Sequence, residues 1–432
     1  MANIILVSDV VRNLIEKYKG GKGVYSVSDS VLNEMNMEKG EFSLFRTLFE
    51  NGVSVTTYKD GKKGSTSVNS TDHAALDKAV RECVESSESG VYDAAYGIAP
   101  FAGKRSFRSG VTEFDREKLF ERMDELKQSI NREYPEIVIM NIIGEHSCSH
   151  SVYRNTNGTE FDSVGGYYSV VAEFAAKRGE KVTSLNYFAF ITDDVDTPFI
   201  EKNGVRRILG NCVKQLDLVP MEGKFVGTVV FTPSCFIEML GSALSNFVSG
   251  SVIMDGTSIW KDRLDTRVAS ECLTVANAPL DSRILGGQRF TGDGFVAENY
   301  NIIENGVLKS FMLDLYHANK TGFSPSKNTA ESIIIEGGDM SLDDIVAGIE
   351  NGILVDGFSG GEPSVNGDFS GVAKNSFLIR NGRIDCAVNE AMISGNLADM
   401  LMNITGMSKE TECNGGFVAP FVACSGITVS GK

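Results

Sequence analysis

Between Phe225 and Gly250 the chain reads FVGTVVFTPSCFIEMLGSALSNFVSG, and its hydrophobic period changes once along the way. Phe225 to Phe231 alternates and is rich in Val and Phe, which predicts a buried strand. Thr232 can then cap a helix. Pro233 suits its first position, where the missing N–H would be an orphan, and Gly250 is placed to stop it. Phe236, Leu240, Ala243, Leu244 and Phe247 fall on one stripe, while Glu238, Ser242, Ser245, Asn246 and Ser249 lie off it. A strand that delivers a helix into the interior is a common way to position a catalytic group. Here the polar face offers one carboxylate and small hydroxyls, with no His, Lys or Cys pair for metal or nucleophilic chemistry. Taken by itself, the stretch is a core helix.

The rest of the 432 residues supports two or three domains. A net charge of −16 disfavours nucleic acid, whose binding draws on Lys and Arg, and opposes an anionic membrane surface. No apolar run reaches the ~20 residues of a transmembrane helix, and the start MANIILVSDVV lacks a basic segment and a cleavage-like end. The 8 cysteines are scattered without a C-x-x-C pair, which predicts reduced thiols and a cytoplasmic protein.

Helical spacing predicts helices over Val10 to Lys19, from the Ser70-Thr71-Asp72 cap to Val84, over Phe114 to Ile130 and over Val205 to Leu216. Alternation predicts strands over Val24 to Met35, Glu41 to Phe49, Ile137 to Ile143, Ser147 to Arg154, Tyr167 to Ala175 and Lys181 to Ile191. Val53 to Val68 reads as a hairpin and Ser87 to Gly110 as an irregular connection. Val219-Pro220-Met221-Glu222-Gly223 is the expected domain boundary, giving 1–219 and 220–432. Beyond the central helix, short strands such as Ser251 to Met254 and Ser376 to Arg380 alternate with Asn-Gly and Asp-Gly turns, so a closed or sandwich-like β layer is expected. The fold class is therefore α+β, an N-terminal antiparallel sheet with helices followed by a mostly β domain with peripheral helices.

Three motifs invite chemistry and are set aside on geometry. His146, Cys148 and His150 share a strand face, but the two histidines then lie roughly 13 Å apart, whereas zinc donors stand ~2 Å from the ion. Asp193, Asp194 and Asp196 lack the Gly and the later Glu of a calcium loop. Gly357-Phe358-Ser359-Gly360-Gly361 fits a nucleophile elbow, yet Glu362-Pro363 follows where a helix should open and no His occurs after His317. A nucleophile at Cys413, Cys148 or Ser359 would need a base from elsewhere in the chain.

The C-terminal half holds SIWKDRLDTRVAS from Ser258, GVLKSFMLDLYHANKTG from Gly306, NGDFSGVAKNSFLIRNGRI from Asn366, VNEAMISGNLADML from Val388 and ECNGGFVAP from Glu412. With this set of stretches it resembles the TldD/PmbA family, and within it the PmbA (TldE) branch. It implies a two-domain α+β subunit of a cytoplasmic protease acting on unfolded or modified peptides. In that family the TldD subunit carries an H-E-x-x-x-H helix and a later cysteine as zinc ligands, and the TldE subunit pairs with it. The positions matching that motif here are Gly241, Ser242 and Asn246, with Cys413 at the cysteine, so no zinc is expected on this chain and it is expected on a partner. Cys413 itself reads as a small buried residue. The sequence departs from the family at Asn277-Ala278-Pro279, at Phe290-Thr291-Gly292-Asp293-Gly294 and at Pro325-Ser326-Lys327-Asn328. The expected partner is an H-E-x-x-x-H subunit or a second copy, the expected ligand a peptide, and Gly367, Asp368, Phe369 and Ser370 the expected wall of its chamber.

Overall fold

The chain is described from a computed structural model over residues 3–329, 332–389 and 391–431. Long alternating segments near the N-terminus form strands β1 (Lys22–Glu38), β2 (Glu41–Lys59), β3 (Lys62–Val68), β4 (Lys104–Gly110), β5 (Ile137–Asn155), β6 (Glu160–Arg178), β7 (Lys181–Val182) and β8 (Asn186–Thr192). They join in one sheet in the order β3-β2-β1-β5-β6-β4, with β7 and β8 also on β6. The pairings are antiparallel except for the parallel β4–β6 pair. Helices α1 (Ile4–Lys17), α2 (His73–Ser89), α3 (Arg116–Glu133) and α4 (Val205–Lys214) pack on it. Two of them start on the side chains of Asp72 and Asp115.

Several boundaries differ from the sequence expectation. Glu41 to Lys59 is one strand, since it pairs with β1 along its length and with β3 only from Val53. KRSFRSG, expected in a connection, is strand β4. It lies beside Glu160–Gly166 because β6 is long enough to hold both β4 and β8, the latter from Tyr168 onward.

The second half builds a mixed sheet from β9 (Val219–Pro220), β10 (Lys224–Phe231), β11 (Val275–Asn277), β12 (Tyr300–Glu304), β13 (Val307–Leu308), β14 (Ile333–Ile334) and β15 (Asn351–Val355). It continues with β16 (Gly357–Gly360), β17 (Asp368–Lys374), β18 (Ser376–Arg380), β19 (Arg383–Asn389), β20 (Met392–Asn396), β21 (Ile404–Cys413) and β22 (Val418–Ser430). Its organising strand is β22, which touches β10, β14, β20 and β21 along its length. Around the sheet lie α5 (Pro233–Phe247), α6 (Gly250–Met254), α7 (Leu315–Thr321), α8 (Leu342–Ala347) and α9 (Leu397–Met402).

Strand β10 delivers α5 as the sequence pattern requires. It runs parallel to β15 and antiparallel to β22, and Pro233 is the first helical residue. The Thr232 N–H donates to the Val355 carbonyl at 3.0 Å and its hydroxyl to the Asp356 carbonyl at 3.3 Å, so the cap is tied to the neighbouring strand. Phe236, Met239, Leu240, Ala243, Leu244 and Phe247 enter a core that also holds Val229, Phe231, Trp260 and Val422. The end of the helix corrects the expectation. It stops at Phe247, and Gly250 opens α6, so Ser251 to Met254 is helical and not a strand. Gly250 is required for packing: a Cβ there would lie 2.6 Å from Cγ of His317. Gly357 to Gly360 is a strand paired with β17, so Ser359 does not stand at a strand-to-helix elbow. Among the described residues no helix is long and apolar enough to cross a membrane.

Candidate functional site

Helix α5 presents its two ends to different surroundings. Its first turns contribute Ser234, Ile237 and Glu238 to a cleft of about 790 Å³, whose other walls include Tyr187, Asp356 and Phe358. The cleft lies where the two halves meet. Strand β8 comes from the first sheet, and the segment around β16 and β17 from the second. Among the described residues β8 pairs with no strand but β6 and β16 with none but β17; on the outer side of β8 the Ile191 N–H and the Ala189 carbonyl are already engaged by Asn414 and Asn203, so its open stretch is the part around Tyr187.

Polar contacts hold this junction in register. Asn375 Nδ2 donates to Asn186 Oδ1 at 2.5 Å, and the Ile191 N–H donates to the Asn414 carbonyl at 2.8 Å. Arg207 of α4 reaches across to Asp356 and Glu412, whose side chains are 7% and 12% exposed. Burial opposes the guanidinium charge, but the two carboxylates outweigh it and hold its pKa above the ordinary value. Glu238 stands apart from that cluster. It opens to water in the cleft, yet the surrounding walls, and then the Asp356 charge, push its carboxyl above the usual range. Burial and the Glu238 charge likewise raise the Tyr187 phenol. The cleft therefore offers a carboxyl that gains from a cationic or hydrogen-bonding group, flanked by apolar side chains and strand edges.

The C-terminal half of α5 meets the expected chamber wall. Asn246 Nδ2 donates to the Ser364 carbonyl at 3.2 Å, and Gly367, at φ +91°, packs against the Phe247 ring so closely that a Cβ would lie 2.6 Å from Cζ. Asp368 accepts from Asn396 Nδ2 at 2.9 Å. Phe369 is a core residue, 4% exposed and edge-on to Phe358, while Ser370 is exposed on β17 opposite Ser394. The structure thus joins Asn246 to the Gly367 to Asp368 turn. Cys413 corrects the expectation of burial: it is exposed, with its thiol 3.6 Å from the Arg283 carbonyl.

These positions do not fit a zinc ion. Gly241 has no side chain, the Ser242 hydroxyl donates back to the Glu238 carbonyl at 3.2 Å, and the Asn246 amide serves Ser364. Among the described residues no group of three or more His, Cys, Asp or Glu side chains is arranged to hold a metal. His146 Nε2 meets the Val111 carbonyl at 2.9 Å and His150 Nε2 meets Asp162 at 2.6 Å, each engaged separately on β5. Asp194 caps the Asp196 and Thr197 N–H groups and pairs with Lys202 at 3.0 Å. Sequence reasoning missed the Arg207, Asp356 and Glu412 cluster and the wall at Tyr187, which lie far apart along the chain.

Comparison with known proteins accounts for this architecture. The PmbA/TldA metallopeptidase C-terminal domain matches residues 223–431, and PmbA/TldA metallopeptidase domain 1 matches residues 24–87. The chain belongs to the PmbA/TldD family. A PmbA/TldD relative, a metalloprotease from Methanothermobacter thermautotrophicus, is 29% identical over 46% of this chain and 46% of its own, so the match spans about half of that protein. An uncharacterized protein from Methanocaldococcus jannaschii is 22% identical over 88% of this chain and 90% of its own. TldE from Thermococcus kodakarensis shares the fold, with a TM-score of 0.85 over 98% of this chain and 100% of that one at 20% identity.

Proposed function

We propose that this chain is a PmbA/TldE-like subunit of a TldD/TldE-type metallopeptidase that acts on unfolded or modified peptides in the cytoplasm. In this reading its units, 1–219 and 220–432, supply part of the substrate chamber, and a partner with an H-E-x-x-x-H helix holds the zinc. One observation carries the reading: the cleft beside α5 has a strand with an open stretch of edge on each wall and no metal-binding donor set on the helix between them. An extended peptide can add its main chain to such edges, which gives affinity with little demand on sequence. Glu238 would then receive a peptide amine or a basic side chain.

The test mixes the purified chain with an H-E-x-x-x-H family subunit and follows zinc content and cleavage of a disordered fluorescent peptide. Cleavage in the mixture alone supports the proposal. Cleavage with stoichiometric zinc on the lone chain would overturn it. A second reading, a non-catalytic peptide-binding homodimer, is favoured by the exposed side chains of Leu44, Phe45, Leu48 and Phe49 on the part of β2 that β3 does not cover. It predicts peptide binding by the lone chain and no cleavage in either preparation.

A further inference from the structure

A polar cavity of about 480 Å³ lies between the first sheet and the loop from Leu280 to Phe290, and it shares no residue with the cleft beside α5. Strand register sets its floor. Ser147, Ser149 and Ser151 of β5 lie on one face, and β6 places Tyr167, Gly165 and Ser163 opposite them. Strand β4 ends at Gly110, opposite Gly166, and β8 ends at Thr192, opposite Tyr168, so the sheet changes its edge strand at Tyr167 and leaves a gap there. None of the three β5 hydroxyls has a hydrogen-bond partner among the described residues.

Arg289 forms part of the opposite wall. Its carbonyl accepts from the Ala297 N–H at 3.0 Å and its Nη1 donates to the Pro279 carbonyl at 3.1 Å, which holds the half-buried guanidinium in place. Most of its N–H groups have no further partner among the described residues. Arg207 shows the contrast: there two carboxylates outweigh burial, whereas at Arg289 burial lowers the pKa and no described carboxylate offsets it. The other charges of the lining are paired or solvated. Arg108 pairs with Asp162 and Asp281 with Arg283, while Asp193 is exposed. Beside Arg289, the Gln288 Oε1 is buried without a partner, a cost that turning toward a ligand N–H would recover.

We propose that this cavity takes the carboxyl end of a peptide, with the terminal carboxylate on the Arg289 fork and the serine hydroxyls and the last amide N–H on Gln288. A carboxylate meets the planar guanidinium through two parallel hydrogen bonds. A peptide end supplies both groups at once, because its carboxylate is one Cα away from an amide N–H. The inference rests on the reading of this chain as a peptide-binding subunit, and it adds a direction: the chain end is recognised here by its charge, apart from the extended backbone recognised in the cleft.

The experiment follows the anisotropy of a disordered peptide, labelled at its amino end, on the full chain, once with a free carboxyl end and once amidated, with circular dichroism as the control for folding. The free acid is expected to bind about tenfold tighter, the order of one charge-assisted contact. Arg289→Gln is expected to abolish that ratio by weakening the acid alone, and Arg289→Lys to restore part of it, since an ammonium keeps the charge without the fork. Equal binding of the two peptides to wild type overturns the inference and leaves the peptide reading standing. A ratio that survives in Arg289→Gln overturns it too. Binding of neither peptide also overturns it, and cleavage in the mixture then decides the wider reading separately.

Discussion

Arg207 grips Glu412 side-on, Nε to Oε1 at 2.8 Å and Nη2 to Oε2 at 3.1 Å, while its Nη1 reaches Asp356 Oδ1 at 2.6 Å. The three residues come from α4, from the start of the β16 segment and from β21, so one side chain ties the first half of the chain to the second. Its planar fork is what allows two carboxylates to be met at once. Arg207→Met leaves both carboxylates poorly solvated and unpaired, and is expected to destabilise the fold by about 3 kcal/mol or more. Arg207→Lys restores the charge without the fork and should recover only part of that. Urea denaturation of the three proteins checks the order; a methionine variant as stable as wild type would remove the cluster from the account.

Glu238 gives a pH dependence of the opposite kind to a salt-bridged carboxylate. Burial in the cleft wall, and then the Asp356 charge, raise its folded pKa above the unfolded one. The folded chain therefore keeps this proton to higher pH, and the contribution of Glu238 to stability falls as pH rises through that interval. Glu238→Gln removes the titration. Its melting midpoint is expected to lie slightly above wild type at neutral pH, with the difference closing as pH drops below the ordinary carboxylate range. The gain is small because the side chain opens to water in the cleft. A gap that widens toward acid pH would contradict the assignment.

Gly250 and His317 form a packed pair in which the glycine has no room for a methyl group. A Cβ at Gly250 would lie 2.6 Å from Cγ and 2.7 Å from Nδ1 of the imidazole, which is itself held by Asp314 at 2.7 Å. Gly250→Ala should therefore cost on the order of 1–3 kcal/mol through overpacking. Adding His317→Ala opens the space, so the double variant should be more stable than the sum of the two single effects. A thermal-unfolding mutant cycle measures that coupling; simple additivity would show that the ring shifts freely.

How far the residues announce this arrangement depends on how local each feature is. Thr232, Pro233 and the stripe from Phe236 to Phe247 announce α5 because its cap and its buried face lie within one short stretch. Strand β22 is harder to read: Pro420 and Gly426 interrupt it, and most of it is buried on both faces, so the alternation of a half-exposed strand is absent. The segment from Ser251 to Met254 has β-branched residues yet is helical: the Ile253 and Asp255 N–H groups donate back to the Ser249 and Ser251 carbonyls, a single turn too short to show a helical period in the sequence. The exposed Cys413 follows from where β21 ends, which its neighbours do not specify. Arg207, Asp356 and Glu412 sit in segments with no shared spacing, and only the packing of the two halves makes them one cluster.

Asn246 tests whether the turn at Gly367 belongs to a peptide site. Its amide bridges α5 to the Ser364 carbonyl, and that carbonyl belongs to the loop in which the Gly367 N–H also donates to Ser364 at 2.7 Å. Removing the bridge by Asn246→Ala frees one side of the loop while Phe247, Gly367 and the Asn396 to Asp368 contact remain. The stability cost should stay near ~1 kcal/mol, the usual net value of one hydrogen bond. If Asp368 and Ser370 line the chamber, the loosened loop should weaken binding of a disordered fluorescent peptide several-fold, read by anisotropy, because the ordering of the loop is then charged to the binding step. Unchanged affinity at a slightly lower melting midpoint would assign Gly367 to Ser370 a purely structural role and leave the cleft at Glu238 as the peptide site.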